Sequence, residues 1–187
     1  MEKWDRIYRA STELPSQPAQ VLAENAHLLP RTGKALDVAC GLGANSILLA
    51  KRGMETYAWD ISETALQILN QSVLNENLYL ITSHRDIVSQ PPAADTFDVI
   101  VVSRFLDRSI ISHLIDALRP GGLIFYQTFI SDKRDVSGPS NPAYRLNDNE
   151  LLRLFSTLQL ICYREEGTIG DPSTGFRNEA MLIAMKR

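Results

Sequence analysis

Residues 36–46, which read LDVACGLGANS, constrain the fold more than any other part of this sequence. The first five are apolar or short apart from Asp37, a pattern typical of a buried strand. Gly41 and Gly43 then remove the Cβ atoms that would keep a ligand away from the backbone. Helical spacing of apolar residues begins at Asn45. A strand, a Gly-X-Gly turn and a helix N-terminus predict a nucleotide-binding element in an open α/β sheet.

The rest of the chain alternates strand patterns with helical patterns. Strands are predicted at 36–40, 55–59, 78–83, 98–103, 123–129, 159–164 and 180–185, and helices at 1–14, 19–29, 45–52, 63–75, 109–118 and 148–155. Ser62 and Asn147 are expected N-caps, and residues 119–122 a turn. The connection 167–178 is too short for a crossover helix, so the last two strands should be antiparallel.

These elements predict one domain, residues 1–187, of the α/β class. We expect a Rossmann-like, doubly wound, mostly parallel seven-stranded sheet with an antiparallel last strand. Residues 1–30 would form an N-terminal helical lid and residues 34–187 the Rossmann-like core. The sequence carries no signal for an oligomeric state.

Composition excludes several classes of function. With 19 Lys and Arg against 22 Asp and Glu and no basic run, the chain lacks an extended nucleic-acid surface. Cys40 and Cys162 are too few for a disulfide framework or a metal cage, and the three histidines have no ligand-like spacing, so no metal is expected. No signal peptide or membrane-spanning stretch is present, so we expect a cytoplasmic protein with no membrane partner.

Polar side chains follow the predicted parallel strands, at the sheet edge where open α/β folds bind ligands. Asp60 ends the second strand and could accept both hydroxyls of a ribose. Asp86 follows the third strand and could accept a hydrogen bond from an adenine amino group, with the N–H of Ile87 reaching a ring nitrogen. Ser103 ends the fourth strand, beside Arg104.

Five motifs in order make the chain resemble a class I S-adenosylmethionine-dependent methyltransferase over nearly its whole length. They are residues 37–46, Asp60-Ile61-Ser62, Arg85-Asp86-Ile87, Phe97-Asp98-Val99-Ile100 and Leu118-Arg119-Pro120-Gly121-Gly122. The Cys-Gly-X-Gly-X-Asn-Ser run and the Trp-Asp-X-X-Tyr start are similar to the branch that includes tellurite-resistance and thiopurine methyltransferases. Ala39 stands where that family often has a glycine, and alanine is small enough for binding to survive.

The resemblance implies S-adenosylmethionine as the cofactor and two groups of site residues. The donor contacts would be Tyr8, Arg9, Asp37, Ala39, Cys40, Gly41, Gly43, Asn45, Asp60, Ile61, Asp86, Ile87 and Ser103. The acceptor contacts would be Trp4, Arg104, Phe105, Tyr144 and Arg145. No residue pattern identifies a catalytic base, and in-line methyl transfer needs one only if the acceptor arrives protonated.

Several of these residues have a purely structural alternative. Trp4 and Tyr8 could pack the first helix on the domain, and Asp37 could only orient the glycine turn. Asp60 and Asp86 could be caps, and Arg104 a salt-bridge partner of Asp107.

The predicted function is methyl transfer to a small-molecule acceptor through oxygen, sulfur or a soft oxyanion such as tellurite. Methylation of a protein or RNA site stays open within the same class. The alternatives from other classes are an NAD-dependent oxidoreductase and a non-catalytic nucleotide-binding regulator. Ser46 stands where a dinucleotide fingerprint has its third glycine, which disfavours the oxidoreductase.

Overall fold

A seven-stranded sheet of strand order β3-β2-β1-β4-β5-β7-β6 forms the centre of the molecule. The computed structural model describes Asp5, Arg6, Tyr8 and residues 17–187. The strands are β1 (Lys34–Val38), β2 (Glu55–Asp60), β3 (Ile81–His84), β4 (Phe97–Ser103), β5 (Leu118–Phe129), β6 (Gln159–Glu165) and β7 (Glu179–Met185). The pairs β1–β2, β1–β4, β2–β3 and β4–β5 are parallel, whereas β7 is antiparallel to both β5 and β6. The predicted α/β fold with an antiparallel last strand is therefore confirmed.

Five α-helices flank the sheet within residues 17–187. They are α1 (Gln20–Ala23), α2 (Ala44–Lys51), α3 (Glu63–Asn75), α4 (Ile111–Ala117) and α5 (Glu150–Leu154), with 3-10 turns at Ala26–Leu28, Arg108–Ile110 and Pro142–Tyr144. The predicted helix at 19–29 is instead the short α1 followed by a 3-10 turn. The predicted helix at 1–14 lies mostly outside the described residues.

The inner strands of the sheet are buried on both faces, because their side chains alternate between two faces that helices cover. On one face Leu36 and Ile100 pack with Leu114 of α4 and Leu151 of α5. On the other face Ala35, Val99 and Val101 pack with Val21 of α1 and Leu49 of α2. A third cluster places α3 on β2 through Ala58, Leu66 and Leu69. Burying the strands on both faces makes the fold doubly wound.

Two further local predictions were wrong. Residues 119–122 lie inside β5 instead of forming a separate turn, with a register shift against β4 between Phe97 and Val99. Gly121 has φ +80° there, so the glycine provides an irregularity within the strand. Asn147 does not cap α5, because its amide donates to Glu150 and Asn149 occupies the N-cap position. The Ser62 cap is confirmed, since its hydroxyl accepts from Ala65 N at 3.2 Å.

Candidate active site

The turn after β1 holds three residues in the left-handed region of backbone space. The φ angles are +51° for Ala39, +53° for Gly41 and +81° for Gly43. Only glycine adopts this conformation without strain, which explains why a glycine often stands at the position of Ala39 in the family that the sequence resembles. A Cβ on Gly43 would overlap Leu69 Cδ1, so α3 leaves no room for a side chain there.

Asp60 closes the turn from the neighbouring strand β2. Its Oδ2 accepts from Gly41 N at 2.7 Å and its Oδ1 accepts from Ser62 N at 2.8 Å. Burial raises the pKa of this carboxyl group, while its backbone hydrogen bonds oppose the rise. A carboxylate accepts about four hydrogen bonds, so both oxygens keep acceptor capacity for the hydroxyls of a ligand.

Asp37 lies fully buried at the same edge, on β1. Its Oδ2 accepts from Ser46 N at 3.0 Å and from the Ser46 hydroxyl at 2.6 Å. Burial raises the pKa of Asp37 to about 7, against the lowering effect of the Ser46 and Asn45 hydrogen bonds. The contacts show that Asp37 orients the start of α2.

Asn45 joins this cluster to the next strand. Its Nδ2 donates to Ser103 Oγ at 3.0 Å, and its Oδ1 accepts from Ala19 N at 2.8 Å. The amide therefore connects the glycine turn, the end of β4 and the start of α1. Ser103 lies at this edge as predicted.

The described N-terminal residues cover the turn. If Gly41 carried a Cβ atom, that atom would lie 2.8 Å from the Tyr8 hydroxyl, so the Tyr8 side chain lies directly over Gly41. Burial, followed by the charge of Asp60, raises the pKa of Tyr8. Asp5 Oδ1 accepts from the Ser62 hydroxyl at 2.5 Å, which ties this segment to the N-terminus of α3. Trp4 and Arg9 lie outside the described residues.

The remaining predicted donor contacts differ in burial. Ile87 and Cys40 are buried, and burial raises the pKa of the Cys40 thiol, which suits a core residue and not a nucleophile. Asp86 is exposed, and its Oδ1 accepts from Val88 N at 3.0 Å in the turn after β3. The carbonyl of Ile61 lies 3.0 Å from His84 Nε2.

Arg104 directly follows β4 but does not pair with Asp107. Its Nε donates to Glu179 Oε1 at 2.8 Å, while Asp107 caps the following turn by accepting from Ser109 N. Arg104 has φ +53°, an uncommon conformation for a residue with a side chain. The structural alternative, a pairing of Arg104 with Asp107, was therefore wrong, since the charged partner comes from β7.

The other predicted acceptor contacts lie on neighbouring segments. Phe105 packs against the core, and its carbonyl accepts from Tyr126 Oη at 3.0 Å. Tyr144 is 54% exposed. The carbonyl of Arg145 accepts from Arg108, whose guanidinium also binds both carboxylate oxygens of Glu150. This ion pair anchors the loop around Tyr144 to α5.

A cavity of about 400 Å³ opens at the ends of β4 and β5. Its wall is formed by Arg104, Phe129, Ser137, Gly138, Arg177, Asn178 and Glu179. Of these residues only Arg104 was predicted, and Phe105, Tyr144 and Arg145 do not line the cavity. A usable signal was present in Gln127, a polar residue inside the apolar β5 pattern whose Nε2 donates to Glu179.

The described residues offer neither a metal site nor a membrane span. No cluster of three or more His, Cys, Asp or Glu side chains could hold a metal ion in that part of the chain. Within the same ranges, no helix has the length and apolar content needed to cross a bilayer.

Comparison with known proteins identifies similar sequences. The profile of a family described as "Tellurite resistance protein TehB" matches residues 5–174. The probable S-adenosyl-L-methionine-dependent methyltransferase TehB of Haemophilus influenzae is 30% identical over 139 residues, which are 71% of this chain and 48% of that protein. The chain thus spans about half the length of this relative. A ubiquinone biosynthesis O-methyltransferase of Idiomarina loihiensis is 31% identical over 166 residues, covering 76% of this chain and 68% of that protein.

Solved structures share the fold. The crystal structure of TehB from Haemophilus influenzae superposes with a TM-score of 0.72 at 24% identity, covering 99% of this chain and 67% of that one. A methyltransferase structure from Methanosarcina mazei gives a TM-score of 0.70 at 19% identity, covering 91% of this chain and 98% of that one. At these identities the likeness establishes the architecture alone.

Proposed function

Because the chain belongs to the TehB family of class I S-adenosylmethionine-dependent methyltransferases, we propose that it transfers a methyl group from S-adenosylmethionine to a small-molecule acceptor. The observation that carries the proposal is the position of Asp60. Its buried carboxylate binds the N–H of Gly41 in the glycine turn and lies at the carboxyl edge of the sheet. Open α/β sheets bind nucleotide-like ligands at this edge.

The residues around the turn fit an adenosine with an amino-acid tail. Asp60 has acceptor capacity for ribose hydroxyls, and the exposed Asp86 with the N–H of Ile87 offers an acceptor and a donor to an adenine. Gly41 lets the backbone approach the ligand, and the Tyr8 side chain covers it. When bound, S-adenosylmethionine supplies an electrophilic methyl group carried on a sulfonium.

The protein's own part in the reaction is to hold the two reactants together and to exclude water. Holding reactants at attack distance removes much of the entropic cost of a bimolecular step. A covered site also favours a transition state in which charge is spread more widely than in the separated reactants. The segment that carries Asp5 and Tyr8 contributes the cover over the donor turn.

The acceptor atom in this proposal is oxygen, sulfur or a soft oxyanion. Two names support this range. The family that matches the chain is described as a tellurite resistance protein, and the relative from Idiomarina loihiensis is an O-methyltransferase. Methylation of a protein or RNA site stays the alternative within the class. An NAD-dependent oxidoreductase is disfavoured because Ser46 replaces the third glycine of the fingerprint and binds Asp37.

Calorimetry on the full chain tests the cofactor. We expect S-adenosylmethionine and S-adenosylhomocysteine to bind, and NAD to give no comparable heat. Tight NAD binding without S-adenosylhomocysteine binding would overturn the proposal. Donor binding without methyl transfer to any acceptor, in a screen for S-adenosylhomocysteine release, would favour a nucleotide-binding regulator.

Two aspartate variants test the donor contacts. Asp60→Ala and Asp86→Ala should each weaken S-adenosylhomocysteine binding by about 1–3 kcal/mol, because each removes a charged hydrogen-bond acceptor. Asp171→Ala is the matched control, since Asp171 caps an exposed turn by accepting from Ser173 N at 2.9 Å, as Asp86 does for Val88. If Asp60→Ala and Asp86→Ala bind S-adenosylhomocysteine as tightly as Asp171→Ala does, neither Asp60 nor Asp86 contacts the donor.

A further inference from the structure

The cavity beside Arg104 opens at the same edge of the sheet as the donor turn. Arg104 follows β4, Phe129 ends β5, and Glu179 begins β7 opposite Phe129 in the antiparallel register. Strand β4 is the direct neighbour of β1, and adjacent strands lie about 4.8 Å apart. The Asn45–Ser103 hydrogen bond joins the two strand ends. A molecule in the cavity would therefore sit beside a ligand on the glycine turn.

Buried polar groups hold Arg104 in place. Glu179 is 7% exposed, and one of its oxygens accepts from Arg104 Nε while the other accepts from Gln127 Nε2. Gln127 Oε1 accepts from Val21 N at 2.8 Å, which fixes the amide in turn. The Arg104 side chain is 66% exposed, so a buried carboxylate anchors an accessible guanidinium.

The second arginine in the cavity wall, Arg177, already uses its guanidinium in hydrogen bonds within the protein. Arg177 is 11% exposed, and its guanidinium donates to backbone carbonyls of the loop 167–174 at 2.6–2.9 Å. Those bonds give Arg177 the role of shaping the loop. Arg177 also has a carboxylate partner, since its Nε lies 3.8 Å from Glu166 Oε2. Arg104 is thus the arginine of this cavity wall whose side chain is open to a ligand.

The size and lining of the cavity indicate an organic ligand. Pockets of this volume are typical of organic small molecules. The Phe129 ring adds an apolar wall beside the charged groups.

We propose that this cavity is the acceptor subsite, that the acceptor is a small organic acid, and that Arg104 is the specificity-determining residue that pairs with its carboxylate. The inference rests on the proposed methyl transfer and narrows its acceptor to one chemical class. A planar guanidinium matches a carboxylate with two parallel hydrogen bonds, which a neutral amide of the same shape does not reproduce.

Benzoate and its neutral isostere benzamide are the probes, titrated calorimetrically into the full chain saturated with S-adenosylhomocysteine. We expect benzoate to bind at least about tenfold more tightly than benzamide, and Arg104→Gln to abolish that preference. Arg104→Lys should keep part of the preference for benzoate, because lysine retains the positive charge but lacks the planar guanidinium. Arg52→Gln makes the same charge change at the exposed C-terminal end of α2 and should behave as wild type.

The outcomes separate this inference from the proposed function. If benzoate does not bind, binds no better than benzamide, or keeps its preference in Arg104→Gln, the inference is overturned. Retained S-adenosylhomocysteine affinity in Arg104→Gln shows that the variant is folded and that the donor site is intact. If the wild-type chain does not bind S-adenosylhomocysteine, the methyltransferase proposal itself is overturned.

Discussion

The Asp37 carboxyl group shows how burial changes the chemistry of one residue. It has no exposed surface, and burial moves its pKa from 3.8 to about 7 despite the hydrogen bonds from Ser46 and Asn45. In the unfolded chain the same group titrates near its ordinary value. Between these two values the folded protein therefore holds a proton that the unfolded chain has lost.

Asp37→Asn should flatten the pH dependence of stability. Because the folded pKa is raised, the free energy of unfolding falls as pH rises from about 4 to about 7, by at most about 1.4 kcal/mol per pH unit, and levels off above that range. Urea denaturation at pH 5, 6, 7 and 8 measures this dependence. Asp148→Asn, at an exposed aspartate, should keep the wild-type slope. A wild-type slope in Asp37→Asn would contradict the burial argument.

At the scale of elements, the β1–α2 turn requires both a backbone conformation and empty space. Gly43 has φ +81°, and α3 places Leu69 where a side chain would go. Gly121 in β5 has a matching φ of +80°, and a Cβ on that residue would meet no heavy atom within 4 Å. The two glycines thus share the conformational requirement, and only Gly43 has the packing requirement.

Gly43→Ala should destabilise the protein more than Gly121→Ala. Both variants incur the strain of a left-handed residue, and overpacking against Leu69 adds about 1–3 kcal/mol to Gly43→Ala. Chemical denaturation of both variants gives the difference directly. Equal losses would mean that Leu69 moves aside at no cost.

At the scale of the whole molecule, Gln127 connects parts of the chain that are far apart in sequence. It accepts from Val21 N, 106 residues away, and donates to Glu179, 52 residues away. It therefore fastens α1 and the start of β7 to strand β5. The same connection supports the wall of the cavity beside Arg104.

Gln127→Leu should loosen this connection. Leaving the buried Val21 N–H and the Glu179 carboxylate without their partner costs about 1–3 kcal/mol and should speed hydrogen exchange at the Val21 amide. Gln71→Leu, at an exposed glutamine of α3, should change stability by less than about 0.5 kcal/mol. Unchanged exchange at Val21 would show that the amide bond contributes nothing to holding α1.

The donor turn and the surroundings of Arg104 depend on contacts of different range along the sequence. The donor side depends on local patterns, such as glycines after a strand and the Ser62 cap, whose partners lie a few residues away. The alternative that pairs Arg104 with Asp107 rests on spacing, from which only near neighbours can be judged. Its partner Glu179 is 75 residues away and reaches it only because β7 inserts beside β5.

The sequence by itself therefore determined the α/β class, the order of strands and helices along the chain, and the glycine turn with Asp60 beside it. These follow from periodicity and backbone conformation, which act over short distances. Only the tertiary structure decided the length of α1, the position of β7 between β5 and β6, and the cavity formed by Arg104, Phe129 and Glu179. Strand pairing and the burial of charged groups depend on packing between distant segments, which no local pattern records.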